Sequence, residues 1–202
     1  MKKYILLIFI PIFCFSQKYK VSEAKTSFFS YAPLENITAF SEDLQGIIDM
    51  NSGEFFFRLP IKSFTFKRSL MQTHFNDKYM NSDKFPHSIF KGQSDSLGNQ
   101  IEKVLKEINK SSLENEQNII SKQLSEVFNQ GIFIEGILSI HGEEKNIKTK
   151  VVITLEDERI HFFTMFFVET DDFKIKIPKL LKDNISEKIE VKVSGFLNEF
   201  KE

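Results

Sequence analysis

Apolar and polar positions alternate along most of the chain with the two-residue period of β-strands. The clearest example is residues 132–142, where one face carries Ile132, Ile134, Gly136, Leu138 and Ile140. Similar runs lie at residues 25–31, 44–50, 54–66, 147–155, 159–169 and 188–200. Consecutive strands of this kind, with few helices between them, predict antiparallel meanders. About eight such strands fit either a closed barrel or a sandwich.

Two irregularities in this pattern carry predictions about local structure. Phe64 and Phe66 have the opposite parity to Phe57 and Leu59, so we expect a bulge near residues 60–63 to bring both pairs to one side. The run at 159–169 is apolar on both faces, which predicts that another element, such as a helix, covers its outer side. Turn residues predict breaks at 51–53, 143–146 and 156–158.

A helical period replaces the strand period in two segments. Ile101, Val104, Leu105 and Ile108 follow the helical spacing, and a second apolar stripe at 113–128 predicts a helical hairpin over residues 97–129. A shorter helix is predicted over about 70–81, and a strand resumes at 88–91 after the extended Phe85-Pro86 pair. We expect the apolar seam of the hairpin to pack on the sheet. The alternative is a lid over a ligand or a helix that binds a partner.

The N-terminus has the features of a secretory signal peptide. Two lysines precede an apolar run at residues 4–15, and Ser16 is a small residue suited to cleavage before Gln17. The run is too short to span a bilayer, which takes about 20 apolar residues. A lipid anchor at Cys14 is the rival, and the bulky Phe13 before it argues against that modification. The sequence therefore predicts a periplasmic or secreted protein whose mature domain covers residues 17–202.

Composition excludes several classes of function. With 27 basic and 28 acidic side chains the formal net charge is −1, so nothing suggests a nucleic-acid partner. The single cysteine belongs to the signal peptide, and the four histidines do not have metal-ligand spacing. No zinc-protease, P-loop or serine-hydrolase motif is present. We therefore predict no catalytic residue, metal or cofactor.

Phenylalanine is the unusual component, with 23 residues and no tryptophan in the chain. Many of the rings fall in predicted strands, and together they exceed what one small interior needs. An eight-stranded barrel is wide enough for its own side chains or for one small ligand. Rings of one size that pack imperfectly would leave an elongated apolar slot suited to a hydrocarbon chain.

Four stretches, 55–66, 70–92, 134–147, and 168–178 with 190–197, resemble the YceI-like family of exported lipid-binding proteins. The resemblance implies an antiparallel lipocalin-like β-barrel of about eight strands. It also implies binding of a long-chain apolar lipid, a polyisoprenoid or similar molecule, in the lumen without catalysis. The chain departs from the family at 97–129, where members typically have a much shorter connection. This insertion would shorten the lumen, cap its mouth or lie outside the barrel.

The expected lumen lining combines the inward faces of the predicted strands: Phe55, Phe57, Leu59, Phe64, Phe66, Ile134, Leu138, Val151, Ile153, Phe162, Phe166, Val191 and Val193. A homodimer is left open. One alternative is a periplasmic interaction module whose barrel is filled by phenylalanines and whose helical insertion binds another envelope protein. Another is an enzyme, which would need polar groups such as His74, Asp77 and Tyr79 to converge at the barrel mouth.

Overall fold

The computed structural model describes residues 17–31, 36–111, 131–177 and 186–200. In these ranges the strands are β1 (Lys18–Ser30), β2 (Ile37–Ser41), β3 (Gln45–Asp49), β4 (Glu54–Pro60), β5 (Thr65–Phe66), β6 (His87–Gln93), β7 (Ile132–Ile140), β8 (Glu143–Glu156), β9 (Arg159–Glu169) and β10 (Lys188–Phe200). The α-helices are α1 (Ser69–His74) and α2 (Asp95–Ser111).

Eight antiparallel strands close into a barrel. Their order is β1, β3, β4, β6, β7, β8, β9 and β10, and β10 returns to pair with β1 along almost its whole length. The first residues of β1 pair with β3, whereas its second half pairs with β2, which in turn pairs with β5. The two additional strands, β2 and β5, therefore extend from one end of the barrel. The predicted antiparallel barrel is confirmed, and the sandwich is not.

A bulge in β1 helps the barrel to close. Glu23 and Ala24 together lie opposite Gly195, because the pairing with β10 shifts by one residue here. Glu23 has a φ of 47°, and the Arg159 guanidinium donates hydrogen bonds to its carboxylate. The same guanidinium lies 3.7 Å from the centre of the Phe196 ring. A bulge increases the local bend and twist of a strand, as the curvature of a small barrel requires.

The irregularity predicted near residues 60–63 is present after β4, but its structure is not the predicted bulge. Residues Ile61–Ser63 form a single 3-10 turn rather than a β-bulge. The Ser63 hydroxyl donates to the Pro60 carbonyl at 2.6 Å, which stabilises the turn. The chain then leaves the barrel wall and pairs with β2. Phe64 and Phe66 consequently lie at the end of the barrel, not along its interior.

Two further expectations about the strands are wrong. Residues 143–146 are not a turn but the start of β8, paired with β7. The turn consists of His141 and Gly142, whose φ values of 52° and 80° suit a two-residue hairpin. The outer face of β9 also lacks a cover among the described residues, because Met165 and Phe167 remain 42% and 49% exposed.

Helix α2 closes the end of the barrel that lies away from β2 and β5. Leu97, Ile101 and Val104 are buried in one core cluster with inward side chains of the barrel, among them Tyr19 and Ile153. The first half of the predicted hairpin therefore packs on the sheet as expected, and the rest lies outside the described residues. Neither helix in the described ranges is long and apolar enough to cross a membrane.

Glycines on adjacent strands make room for a phenylalanine in the barrel wall. Gly92 pairs with Phe55 on one side and with Gly136 on the other. A Cβ atom on Gly92 would lie 2.6 Å from Cζ of Phe55 and 2.7 Å from the backbone oxygen of Glu135. The glycines thus allow the Phe55 ring to lie across the neighbouring strands.

We expect Gly92→Ala to lower the free energy of unfolding by about 2 kcal/mol, since overpacking against backbone costs roughly 1–3 kcal/mol. The matched control is Gly98→Ala on α2. There the nearest atom to the new Cβ is 3.3 Å away, and the helix gains propensity from alanine. Urea unfolding of both variants measures the difference. Equal stabilities would contradict the proposed role of the glycine pair.

Candidate functional site

Two adjoining cavities occupy the barrel interior. The mouth cavity, of about 390 Å³, lies at the end that carries α1, β2 and β5. The inner cavity, of about 130 Å³, lies deeper, and Leu97 of α2 forms part of its lining. The two share a ring of five lining residues, which we call the neck: Leu59, Ser88, Ile140, Val168 and Val191. The lumen is therefore open toward the mouth and closed by α2 at its other end.

One wall of the mouth cavity comes from α1 and the π-helical turn Phe75–Tyr79 that continues it. Met71, His74 and Tyr79 line the cavity from this segment. The Gln72 side chain holds the segment in place, because it accepts from the Phe66 backbone at 3.3 Å and donates to the Phe64 carbonyl at 2.5 Å. The helix predicted at about 70–81 is thus a short α-helix followed by one turn of π-helix, and it forms part of the site.

Four phenylalanine rings form an aromatic cluster beside the mouth cavity: Phe28, Phe64, Phe66 and Phe75. The Phe28 ring lies 5.2 Å from that of Phe64 and 5.5 Å from that of Phe75, measured between ring centres. Phe66 and Phe75 are 5.0 Å apart. These distances are typical of packed aromatic pairs, so the cluster forms a continuous apolar wall.

A 3-10 turn at Thr170–Phe173 and the chain after it form another wall of the mouth cavity. Ile175 and Ile177 line the mouth cavity, and the Ile175 backbone donates to the Thr170 carbonyl at 3.0 Å. A second contact fixes the turn, since His141 Nδ1 lies 3.1 Å from the Phe173 carbonyl oxygen. The wall is therefore bound to the β7–β8 hairpin.

The polar groups of the mouth are few and consist of hydroxyls and one imidazole. Ser30, Ser88, Tyr79 and Thr170 contribute hydroxyls, and His74 contributes an imidazole. The Thr170 hydroxyl is buried without a hydrogen-bond partner among the described residues. Burial raises the pKa of the Tyr79 hydroxyl, which therefore remains protonated and able to donate at neutral pH. Within the described part of the chain, no Asp, Glu, Lys or Arg lines either cavity.

The inner cavity is lined mainly by hydrocarbon. Thr149 and Thr164 place two hydroxyls there, but these lie 2.7 Å apart and satisfy each other. The Thr26 hydroxyl has no partner among the described residues. The two bonded hydroxyls offer little to a polar ligand, and most of the other lining side chains are hydrocarbon, so this compartment suits an apolar group.

The structure brings most of the predicted lining residues together. The mouth cavity receives Phe64 and Phe66, and Leu59 and Val191 lie at the neck. The inner cavity receives Phe57, Ile134, Leu138, Val151, Ile153, Phe162, Phe166 and Val193. Phe55 lines neither cavity and packs instead against Phe57 and Phe90. Whether these side chains contact a lipid stays a prediction.

Sequence reasoning missed much of the mouth. Its lining includes Phe28, Ile61, Met71, Phe75, Met80 and Ile175, which lie in turns, short helices or the end of β1. Strand alternation does not find most of these residues, because all except Phe28 reach the cavity through irregular or helical backbone. His74 and Tyr79, considered for an enzyme, do line the mouth, whereas Asp77 does not.

The expected features of a filled interaction module are not found in the described residues. A barrel filled by phenylalanines would leave no cavity, and the apolar stripe at Ile101–Ile108 or at 113–128 would be exposed. Instead two cavities remain, and both Ile101 and Val104 are buried. The second stripe lies outside the described residues. In the same ranges no group of three or more His, Cys, Asp or Glu side chains is placed to hold a metal ion.

A family model described as a YceI-like domain matches residues 19–196. A search of curated proteins finds no match. The matched range contains every residue that lines the two cavities except Leu197.

Solved structures support the same fold. A polyisoprenoid binding domain from Saccharophagus degradans, implicated in plant cell wall breakdown, is similar with a TM-score of 0.64 at 13% identity, covering 92% of this chain and 99% of that one. BcnA from Burkholderia cenocepacia gives a TM-score of 0.61 at 9% identity, covering 87% and 96%. A YCEI protein from Campylobacter jejuni gives 0.54 at 16% identity, covering 85% and 90%.

Proposed function

Because the chain belongs to the YceI-like domain family, we propose that it binds an apolar, isoprenoid-type lipid in its lumen and sequesters or carries that lipid in the cell envelope, without catalysis. The observation that carries the proposal is the pair of adjoining apolar cavities, whose described lining holds no Asp, Glu, Lys or Arg. The polyisoprenoid-binding domain from Saccharophagus degradans, with the same fold, supports the choice of ligand class.

The hydrophobic effect is large enough to account for binding. Each methylene removed from water contributes about 0.8 kcal/mol, so one isoprene unit of five carbons contributes about 4 kcal/mol. Association costs at least about 4 kcal/mol in lost translational and rotational freedom. Three buried units therefore leave about 8 kcal/mol, which corresponds to a dissociation constant near 1 μM. No strong polar contact is needed for such an affinity.

The polar groups of the mouth favour a neutral head group. Tyr79 and Thr170 offer hydroxyls, and the His74 imidazole lies in the same lining. A charged head inside this cavity would lose its hydration without meeting an Asp, Glu, Lys or Arg side chain in the described lining, which is costly. An alcohol, phenol or carbonyl at the head of the lipid would exchange hydrogen bonds with these groups at a much smaller cost.

Placement in the envelope follows from the N-terminal sequence. The signal peptide expected at residues 1–16 would export the mature domain to the periplasm or the medium. A long hydrocarbon tail is nearly insoluble in water, so a lumen that shields it serves a lipid that must cross an aqueous compartment. N-terminal sequencing of the exported protein tests this part of the proposal, and it should begin at Gln17.

Blocking the neck tests the lumen directly. Val191 lines both cavities, so Val191→Trp should obstruct the passage between them. We expect affinity for farnesol, measured by displacement of the fluorescent probe N-phenyl-1-naphthylamine, to fall at least tenfold. The barrel should remain folded, because the indole enters existing space.

The matched control is Lys192→Trp on the same strand. Lys192 is an exposed neighbour that forms an ion pair with Glu190 on the outer face at 2.7 Å. Its replacement adds an indole to the outside and should leave farnesol binding unchanged. Farnesol binding that is equally strong in both variants would show that the ligand does not pass the neck.

A further inference from the structure

Helix α2 is fixed over the closed end of the lumen by backbone contacts. The Ser94 backbone, just before the helix, donates to the Gly53 carbonyl at 2.9 Å, in the turn between β3 and β4. The Gln93 side chain donates to the Ser52 carbonyl in the same turn at 2.6 Å. These hydrogen bonds attach the start of the helix to the barrel, so the helix is part of the barrel structure and not a separate external element.

The apolar face of α2 fills the space that would otherwise continue the lumen. Ile101 is fully buried, and Val104 is buried beside it in the core cluster at this end. Leu97 lies nearer the lumen and contributes directly to the lining of the inner cavity. The end of the ligand tail would therefore meet Leu97.

The remaining length of the lumen can be estimated from β9. Its lining side chains run from Phe162 at the inner cavity to Val168 at the neck, and Thr170 follows at the mouth. Eight residue steps correspond to about 27 Å of strand and, at the usual tilt, to about 20 Å along the barrel axis. An extended isoprene unit adds four bonds of about 1.5 Å, or about 5 Å of length. About four units therefore fill the lumen.

We propose that α2 limits the length of the ligand tail, with Leu97 as the residue that sets the limit, so that this protein takes isoprenoid amphiphiles of up to about four units in preference to long polyisoprenoids. The inference rests on the proposed function, since it concerns the ligand of the same lumen. The N-terminal half of the helical insertion, which the structure describes, would then have a role in ligand selection.

A chain-length series tests this proposal. The probes are geraniol, farnesol, geranylgeraniol and solanesol, with two, three, four and nine isoprene units, in competition with N-phenyl-1-naphthylamine. Each methylene that enters the lumen should raise affinity by up to about fourfold. For the wild-type protein, affinity should rise from geraniol to geranylgeraniol, and solanesol should bind no more tightly than geranylgeraniol.

Substitutions at Leu97 should then change affinity in a length-dependent way. Leu97→Phe should weaken geranylgeraniol at least tenfold and leave geraniol unchanged, while Leu97→Ala should strengthen geranylgeraniol severalfold. The opposite directions separate a change in lumen length from a general loss of folding. Val104→Ala is the matched control, because Val104 is buried on the same helix but lines neither cavity. It should leave the whole series unchanged.

The outcomes distinguish this inference from the proposed function. If every alcohol competes but affinity continues to rise to solanesol, and the Leu97 variants affect all lengths equally, the length limit is overturned while lipid binding stands. If no alcohol competes with the probe, the proposed function fails and the length limit fails with it. An affinity that stops rising at four isoprene units, with a limit that changes in the Leu97 variants, supports both the length limit and the proposed function.

Discussion

Phe57→Asp should abolish binding of isoprenoid alcohols, with a loss of affinity of at least about 100-fold at neutral pH. The ring of Phe57 lines the inner cavity and lies 6.4 Å from that of Phe162 across the lumen, measured between ring centres. A carboxylate at this position would stand among hydrocarbon with no cation in the described lining. It would also draw water into the space that the tail must occupy.

The neighbouring residue supplies a matched control. Phe56 belongs to the same strand but points outward and is 41% exposed. Phe56→Asp places the same charge on the outer face, and it should leave probe displacement by farnesol unchanged. Circular dichroism of both variants verifies that the barrel is folded before binding is compared.

The pH dependence of the inner variant gives a second readout. An apolar environment raises the pKa of a carboxyl group, because it disfavours the charged form. Binding by Phe57→Asp should therefore recover partly as the pH falls and the new carboxyl becomes protonated. Equal affinities of the two variants at neutral pH would mean that the ligand does not occupy the inner cavity.

Ile101→Asp should produce the largest loss of stability, at least about 4 kcal/mol, because a charge would be buried without a partner. Ile101 has no exposed surface and packs in the cluster that joins α2 to the barrel. If α2 is part of the core, a charge introduced at Ile101 should destabilise the whole domain. The domain should then still unfold in a single transition. Urea unfolding monitored by circular dichroism measures this effect.

Lys103→Asp is the corresponding control on the exposed side of the same helix. Surface substitutions usually change stability by less than about 0.5 kcal/mol. A small and equal effect of the two substitutions would show that α2 is dispensable for folding. In that case the helix would not close the lumen, and its proposed effect on tail length would lose its structural basis.

The barrel itself could be predicted from the sequence because its strands obey a simple rule. Inward positions such as Ile134, Leu138 and Ile153 recur at every second residue and are apolar, so their shared face is visible in the printed chain. The strand predicted over 159–169 has the same bounds as β9. A two-residue period requires only a buried inner face and an exposed outer face, and most of this barrel provides both.

The mouth could not be predicted in the same way. Phe75 and Tyr79 reach the cavity from a π-helical turn, and Ile175 reaches it after a 3-10 turn. Such segments are too short to show a period, so nothing in the local pattern says which side chain faces inward. The position of α2 at the closed end also depends on long-range contacts, including that of Ser94 with Gly53. Helical spacing identifies its apolar face but not the surface that the face covers.

The most direct measurement is the lipid content of the mature protein purified from the organism that encodes it. Native mass spectrometry, followed by organic extraction and analysis of the released molecule, should find one isoprenoid-type lipid per chain. That lipid should be absent from Phe57→Asp and present in Phe56→Asp. Wild-type protein that carries no lipid and fails to bind any prenyl alcohol would contradict the account of the lumen as a lipid-binding site.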